Sequence, residues 1–213
     1  MDSAAQRIVQ SYALIDRLKG ELRHSWLSTG RRESVAEHTW GMCLLACLAA
    51  PHLEHAVDLE RTLKMIIVHD LIEAITGDIP FFEESARKAN KVQAERQAMR
   101  EIADTLPPPA AGDLHALWLE YEDGATHDAR FARALDSLEV QLQHNHADLQ
   151  TWEPVEYGLV YSKMAPRCHH DTFLSAVCRL VEQEGEQRMV AHGVDVEQVK
   201  AAVETQRPHG VTT

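Results

Sequence analysis

Val68-His69-Asp70-Leu71-Ile72-Glu73 decides the reading of this chain, because it sets an imidazole and two carboxylates behind the apolar run Met65-Ile66-Ile67-Val68 and ahead of Thr76-Gly77-Asp78. Ionisable groups in an apolar setting need partners, and a metal ion satisfies several at once. The doublet alone proves little. From the 13 His and 13 Asp of the 213 residues, chance supplies about 0.8 His-Asp pairs, yet three occur. His127-Asp128 opens a helical pattern, where an early acid suits the helix dipole. His170-Asp171 precedes Thr172-Phe173-Leu174, so Asp171 reads as an N-cap. Only His69-Asp70 lies inside an apolar helical pattern. With Asp58 as its N-cap, Leu63, Ile66, Asp70 and Glu73 recur at spacings of three and four. That predicts one helix running to Gly77, with both carboxylates on its inward stripe.

Length and a hydrophobic content of 45% suit one sizeable globular domain over residues 1–206, followed by a mobile polar tail from Arg207 to Thr213. The formal charge of −12 disfavours nucleic-acid polymers and anionic membranes as partners, since both attract clustered Lys and Arg. A small phosphorylated substrate is compatible with it, because a local cation reverses the field inside one pocket. Cys43, Cys47, Cys168 and Cys178 form no CxxC pair and no signal peptide is evident, which predicts reduced thiols in the cytoplasm. The apolar stretch from Met42 to Ala50 is far shorter than the roughly 20 residues a membrane span requires.

Helical spacing runs through almost every long segment, starting with Ile8, Tyr12, Ile15, Leu18 and Leu22, so the expected fold class is all-α. Ser34-Val35-Ala36-Glu37 has the form of a capping box. It opens a helix from about Val35 to Ala50 whose stripe Val35, His38, Met42, Leu45 and Ala49 turns a second imidazole inward. Further helices are expected at about Ser85 to Leu106, stopped by Pro107-Pro108-Pro109, then Leu114 to Tyr121, Asp128 to Leu149, Asp171 to Val190 and Val194 to Glu204. In the helix from Asp128, Asp136 sits beside the apolar stripe Leu135, Leu138 and Leu142.

His38, His69, Asp70 and Asp136 therefore stand out on three helices, and their order resembles the H…HD…D motif of the HD superfamily of metal-dependent phosphohydrolases. Glu33-Ser34-Val35-Ala36-Glu37-His38, His69-Asp70-Leu71-Ile72-Glu73-Ala74-Ile75-Thr76-Gly77-Asp78-Ile79 and Leu135-Asp136-Ser137-Leu138-Glu139 look like its 5′-deoxynucleotidase branch. The likeness covers roughly residues 7–150 and is weaker over the C-terminal helices at about 171–204. It implies a single HD-domain helical bundle, a homodimer, and hydrolysis of deoxyribonucleoside 5′-monophosphates to deoxynucleoside and phosphate. His144-Asn145-His146 departs from the branch, which tends to carry more acidic residues after its final aspartate.

Two imidazoles and two carboxylates hold a divalent ion and leave positions open for water and phosphate; Mn, Co, Fe, Zn or Mg would serve. Glu73 is the expected catalytic residue, orienting water or transferring a proton. The resemblance offers a competing role in which Glu73, Asp78 and the Ile79 carbonyl hold a second ion, while Asp78 is also linked with sugar recognition. It likewise implies phosphate binding by Arg23 and exclusion of a ribose 2′-hydroxyl by Trp26. The rival readings are an HD hydrolase of cyclic nucleotides or nucleoside polyphosphates, and a noncatalytic nucleotide-binding module. A third, a di-iron oxygenase using His115 and His127, is disfavoured because neither histidine sits in a ligand pattern.

Overall fold

The computed structural model describes residues 3–206, so the expectation for the tail from Arg207 lies outside the described residues. In chain order the elements are α1 (Ala4–Gly20), β1 (Leu22–Trp26), β2 (Arg32–Ser34), α2 (Val35–Ala49), α3 (Leu59–His69), α4 (Glu73–Thr76), α5 (Ala86–Ala89) and α6 (Lys91–Thr105). Then come α7 (Ala110–Asp123), α8 (His127–His146), α9 (Pro154–Ser162), α10 (Ala165–Cys168), α11 (Thr172–Ala191) and α12 (Val196–Gln206). The all-α expectation holds, with one antiparallel hairpin as its only sheet among the described residues.

Local chemistry explains where the helices begin. Ser34 Oγ accepts from the Glu37 amide while the Glu37 carboxylate accepts from the Ser34 amide, closing the capping box of α2. Asp58, Thr126 and Asp171 cap α3, α8 and α11 through their side chains. The core then forms around α8, which packs against α2, α3, α7, α10 and α11. Its Phe131, Leu135 and Leu138 are buried with Met42 of α2, Ile66 of α3 and Leu174 of α11, each contributing roughly 1.5–3 kcal/mol. A second cluster, Leu149, Trp152, Val160, Met189 and Val196, ties α9 and α12 to α11.

The structure departs from the sequence pattern at several points. Leu22 does not continue the first helix: α1 stops at Gly20 and the chain enters a hairpin whose turn uses Gly30 at φ +83°, a conformation open to glycine. The expected helix from Ser85 is divided at Asn90 into α5 and α6. The helices α9 and α10 were not expected at all.

The most consequential departure is at the doublet. The helix expected to run through Glu73 to Gly77 ends at His69, and Asp70 leaves helical geometry at φ −102°, ψ +12°. Leu71 and Glu73 donate to Val68 O and Asp70 O at 3.1 and 3.0 Å, three-residue spacings that tighten the backbone. Asp70 and Glu73 therefore share no continuous helical face. Gly77, at φ +73°, ends only the short α4.

Candidate metal centre

Three elements meet at the doublet. His38 closes the first turn of α2, His69 is the last residue of α3, and Asp136 projects from the middle of α8. One ligand atom from each lies within 4.8 Å of the others. His38 Nε2 is 3.3 Å from Asp136 Oδ1 and 3.9 Å from Asp70 Oδ2, and His69 Nε2 is 3.1 Å from the same Asp70 oxygen. The two imidazole centroids are 5.6 Å apart.

The ring nitrogens are sorted by what holds them. His69 Nδ1 donates to the Ile66 carbonyl at 2.6 Å, and His38 Nδ1 donates to Glu139 Oε2 at 2.5 Å. A proton on each Nδ1 leaves a lone pair on Nε2, the arrangement of a metal-ligating histidine whose second nitrogen is held by a carbonyl or carboxylate. Both Nε2 atoms are buried and make no hydrogen bond. Buried ring nitrogens without a hydrogen-bond partner that face carboxylates fit a cation, which takes the neutral form of each ring.

Electrostatics point the same way. Asp70, Glu73, Asp78 and Asp136 line one cavity of about 230 Å³, in which Arg23, Lys88, Lys91 and Lys163 also stand. Arg23 is largely buried, donates to Asp70 Oδ2 at 3.2 Å and lies 3.5 Å from Glu33 Oε2. Burial works against ionisation of Asp70, but His69 and Arg23 outweigh it and hold the carboxyl down at about 2. Asp136 is likewise held below the usual carboxylate range against its burial, by His38, His69 and Arg23. Glu73 behaves oppositely: burial, then the charges of Asp70 and Asp78, push it well above that range. Burial and Arg23 disfavour a charge on His38, yet Glu139 and Asp136 hold it up at about 10; a cation taking Nε2 releases that proton.

The other expected residues are distributed unevenly. Glu73, Asp78 and Ile79 line the cavity, but no cluster of three His, Cys, Asp or Glu ligand atoms among the described residues includes Glu73 or Asp78. Trp26 does not line the cavity. It ends β1 with its ring under the Arg32 guanidinium at 4.9 Å, and its carbonyl accepts from Gln143 at 2.7 Å. Arg23, His24 and Ser25 before it line the cavity, so the strand leaves the wall at its last residue, its register with β2 being irregular between Leu22 and Trp26. His115 lies against Trp118 and His127 against His55, both outside the cavity.

Several site residues were missed. Glu139 and Glu33 belong to the quoted motifs but received no role, although both are buried beside His38 and Arg23. A glutamate one helical turn after Asp136 is the signal that existed. Tyr121 donates to Asp136 Oδ2 at 2.9 Å. Lys88, Lys91 and Lys163 also line the cavity, and Lys163 Nζ lies 3.2 Å from the centre of the Phe81 ring.

A helical fold that gathers H…HD…D side chains from three helices defines the class of HD-domain proteins. The HD domain family matches residues 15–173, and the chain belongs to that family. It is 28% identical over 178 residues to the human protein named 5′-deoxynucleotidase HDDC2, covering 83% of this chain and 85% of that one. It is 34% identical over 142 residues to 5′-deoxynucleotidase hdd1 of Schizosaccharomyces pombe, covering 64% and 70%. A crystal structure of a predicted metal-dependent phosphohydrolase from Magnetospirillum magnetotacticum MS-1 superposes with a TM-score of 0.75 at 33% identity, over 88% of this chain and 97% of that one.

Proposed function

We propose that this chain is a metal-dependent phosphomonoesterase that hydrolyses deoxyribonucleoside 5′-monophosphates to deoxynucleoside and phosphate. The observation that carries the reading is the pair of anchored, buried imidazoles whose unpartnered Nε2 atoms face Asp70 and Asp136 at the wall of a cavity. The names of the human and fission-yeast relatives support the substrate class.

In this reading His38, His69, Asp70 and Asp136 hold one divalent ion, and mixed imidazole and carboxylate donors favour Mn, Co, Fe or Zn over Mg. When bound, the ion supplies Lewis-acid polarisation of a phosphoryl oxygen and a water nucleophile near neutral pH. Arg23 donates to a second phosphate oxygen. Glu73 keeps a proton because burial and two neighbouring acids raise its pKa, and it delivers that proton to the leaving sugar oxygen. Asp78 contacts the sugar. Tyr121 and Glu139 hold Asp136 and His38 in position.

The enzyme works in the cytoplasm in this reading, with Cys43, Cys47, Cys168 and Cys178 as free thiols. No helix among the described residues is long and apolar enough to cross a membrane. Two copies associate, which the exposed apolar stripe Trp40, Leu44 and Leu48 of α2 supports.

The test is a metal-reconstituted screen of ribo- and deoxyribonucleoside monophosphates with phosphate detection. Release from the deoxy series, lost on chelation, is expected. Release from only cyclic nucleotides or polyphosphates would replace this substrate class, and silence across the panel would leave a noncatalytic binding module.

A further inference from the structure

The cavity continues past the metal centre into polar groups that the hydrolytic reading does not use. His24 and Ser25 follow Arg23 on β1, Gln141 and His144 follow Asp136 on α8, and Glu156 enters from α9; all line the same cavity. Asp136 and His144 are eight residues apart, or about 12 Å along the helix axis. A nucleotide with its phosphate at Asp136 therefore has its base near His144.

Glu156 is the charged group at that end. It is 3% exposed. Its Oε2 accepts from the Glu153 amide at 2.6 Å, closing the capping box of α9, and lies 3.4 Å from His24 Nε2. Its Oε1 lies 3.7 Å from His144 Nδ1, beyond hydrogen-bond distance, so the cap and His24 occupy only the other oxygen. The other ring nitrogen of His144, Nε2, is 3.1 Å from Ser25 Oγ, which holds the ring in place. His24 Nε2 is buried without a hydrogen-bond partner and its ring meets the edge of Phe82, another lining residue, at 5.0 Å. Burial opposes a charge on Glu156, but His24 and His144 hold its pKa below the usual range, so it is a carboxylate. Burial keeps His144 below its ordinary value and hence neutral at pH 7. An open carboxylate oxygen in a cavity for an anionic substrate has one useful role: accepting from N–H groups at the uncharged end.

We infer that Glu156, steadied by His24 and by the α9 cap, reads the nucleobase edge and selects bases that present an exocyclic amino group. A base that places a carbonyl oxygen at the same point sets two acceptors against each other with no proton between them. This inference rests on the nucleotide reading above and deepens it. Sites built to hydrogen-bond a substrate group reject analogues that lack it far more strongly than apolar pockets reject a missing methylene.

The experiment compares pairs that exchange an exocyclic amino group for a carbonyl, the adjacent ring nitrogen gaining a proton: dCMP with dUMP, and dAMP with dIMP. Wild-type kcat/KM is expected to favour the amino member by at least about 10- to 100-fold, the size of one hydrogen bond to a charged acceptor. The Glu156→Gln variant keeps the helix cap, because an amide oxygen accepts from the Glu153 amide equally well. With that oxygen taken by the cap, the amide nitrogen faces the base as a donor, so the ratio should fall to about one or below, while phosphate release persists. Equal wild-type rates within each pair would overturn the inference, as would a ratio that survives Glu156→Gln. Calorimetric binding of deoxycytidine and deoxyuridine separates this idea from its parent. Preferential binding of deoxycytidine without any phosphate release defeats the hydrolytic reading and leaves the base subsite standing; equal or absent binding of both defeats the subsite.

Discussion

Removing Glu139 should weaken the metal centre without touching a metal ligand. Its Oε2 receives the His38 Nδ1 proton at 2.5 Å, and both side chains are buried. That bond fixes which nitrogen carries the proton and which way the ring points. A hydrogen bond to a charged partner contributes about 1.5–3 kcal/mol, and loss of such a partner typically lowers metal affinity by about 10- to 100-fold, or about 1.4–2.8 kcal/mol. Two independent arguments thus converge on one size of effect. Glu139→Ala should therefore bind Mn²⁺ or Co²⁺ about 10- to 100-fold more weakly by titration calorimetry of metal-stripped protein. Glu139→Gln, which keeps an acceptor but loses the charge, should fall between that variant and wild type. Gly41→Ala offers an indirect version, because a Cβ there would sit 2.7 Å from Glu139 Oε1 and must displace it. A Glu139→Ala protein that stays folded in a thermal melt and binds the ion with wild-type affinity would refute the reasoning.

Three further outcomes follow. Glu73→Ala should lower kcat by about 10²- to 10⁴-fold with cation content unchanged; a fall from two ions to one per chain would instead make Glu73 a ligand of a second ion. Burial pushes Lys163 down to about 8 despite Asp136, so its charge is present below that pH and lost above it. The KM for a monophosphate should rise as pH passes through about 8, with kcat less affected, and Lys163→Met should flatten that rise; an unchanged KM profile in the variant would remove Lys163 from phosphate binding. Finally, Trp40→Glu with Leu44→Glu should convert a dimer to monomers in sedimentation velocity, and a wild-type monomer would leave the α2 stripe without that role.

Local signals were the legible ones. Ser34 and Glu37, and Asp58 three residues before Arg61, announce helix starts because a cap acts over three residues. The inward periodicity that carried His38 onto the stripe of Met42 is equally local. The break after His69 was hidden because Leu71 and Ile72 continue an apolar helical pattern, while the backbone tightens at Asp70 to reach neighbours distant in sequence. The hairpin was hidden because three- and five-residue strands are too short to show alternation. Glu139 reaches His38 across 101 residues, and in the sequence it reads as an ordinary helical acid. Trp26 shows the reverse failure: Arg23, His24 and Ser25 before it line the cavity, but at the end of the strand its ring packs against Arg32, a cross-strand contact that no local pattern specifies.

The central claim is that His38, His69, Asp70 and Asp136 grip one cation. Anomalous X-ray scattering from crystals soaked in Mn²⁺ tests it without reference to any substrate. A single strong peak is expected within bonding distance of both Nε2 atoms and Asp136 Oδ1, absent from Asp136→Ala crystals. A peak elsewhere in the fold, or none at saturating Mn²⁺, would contradict it.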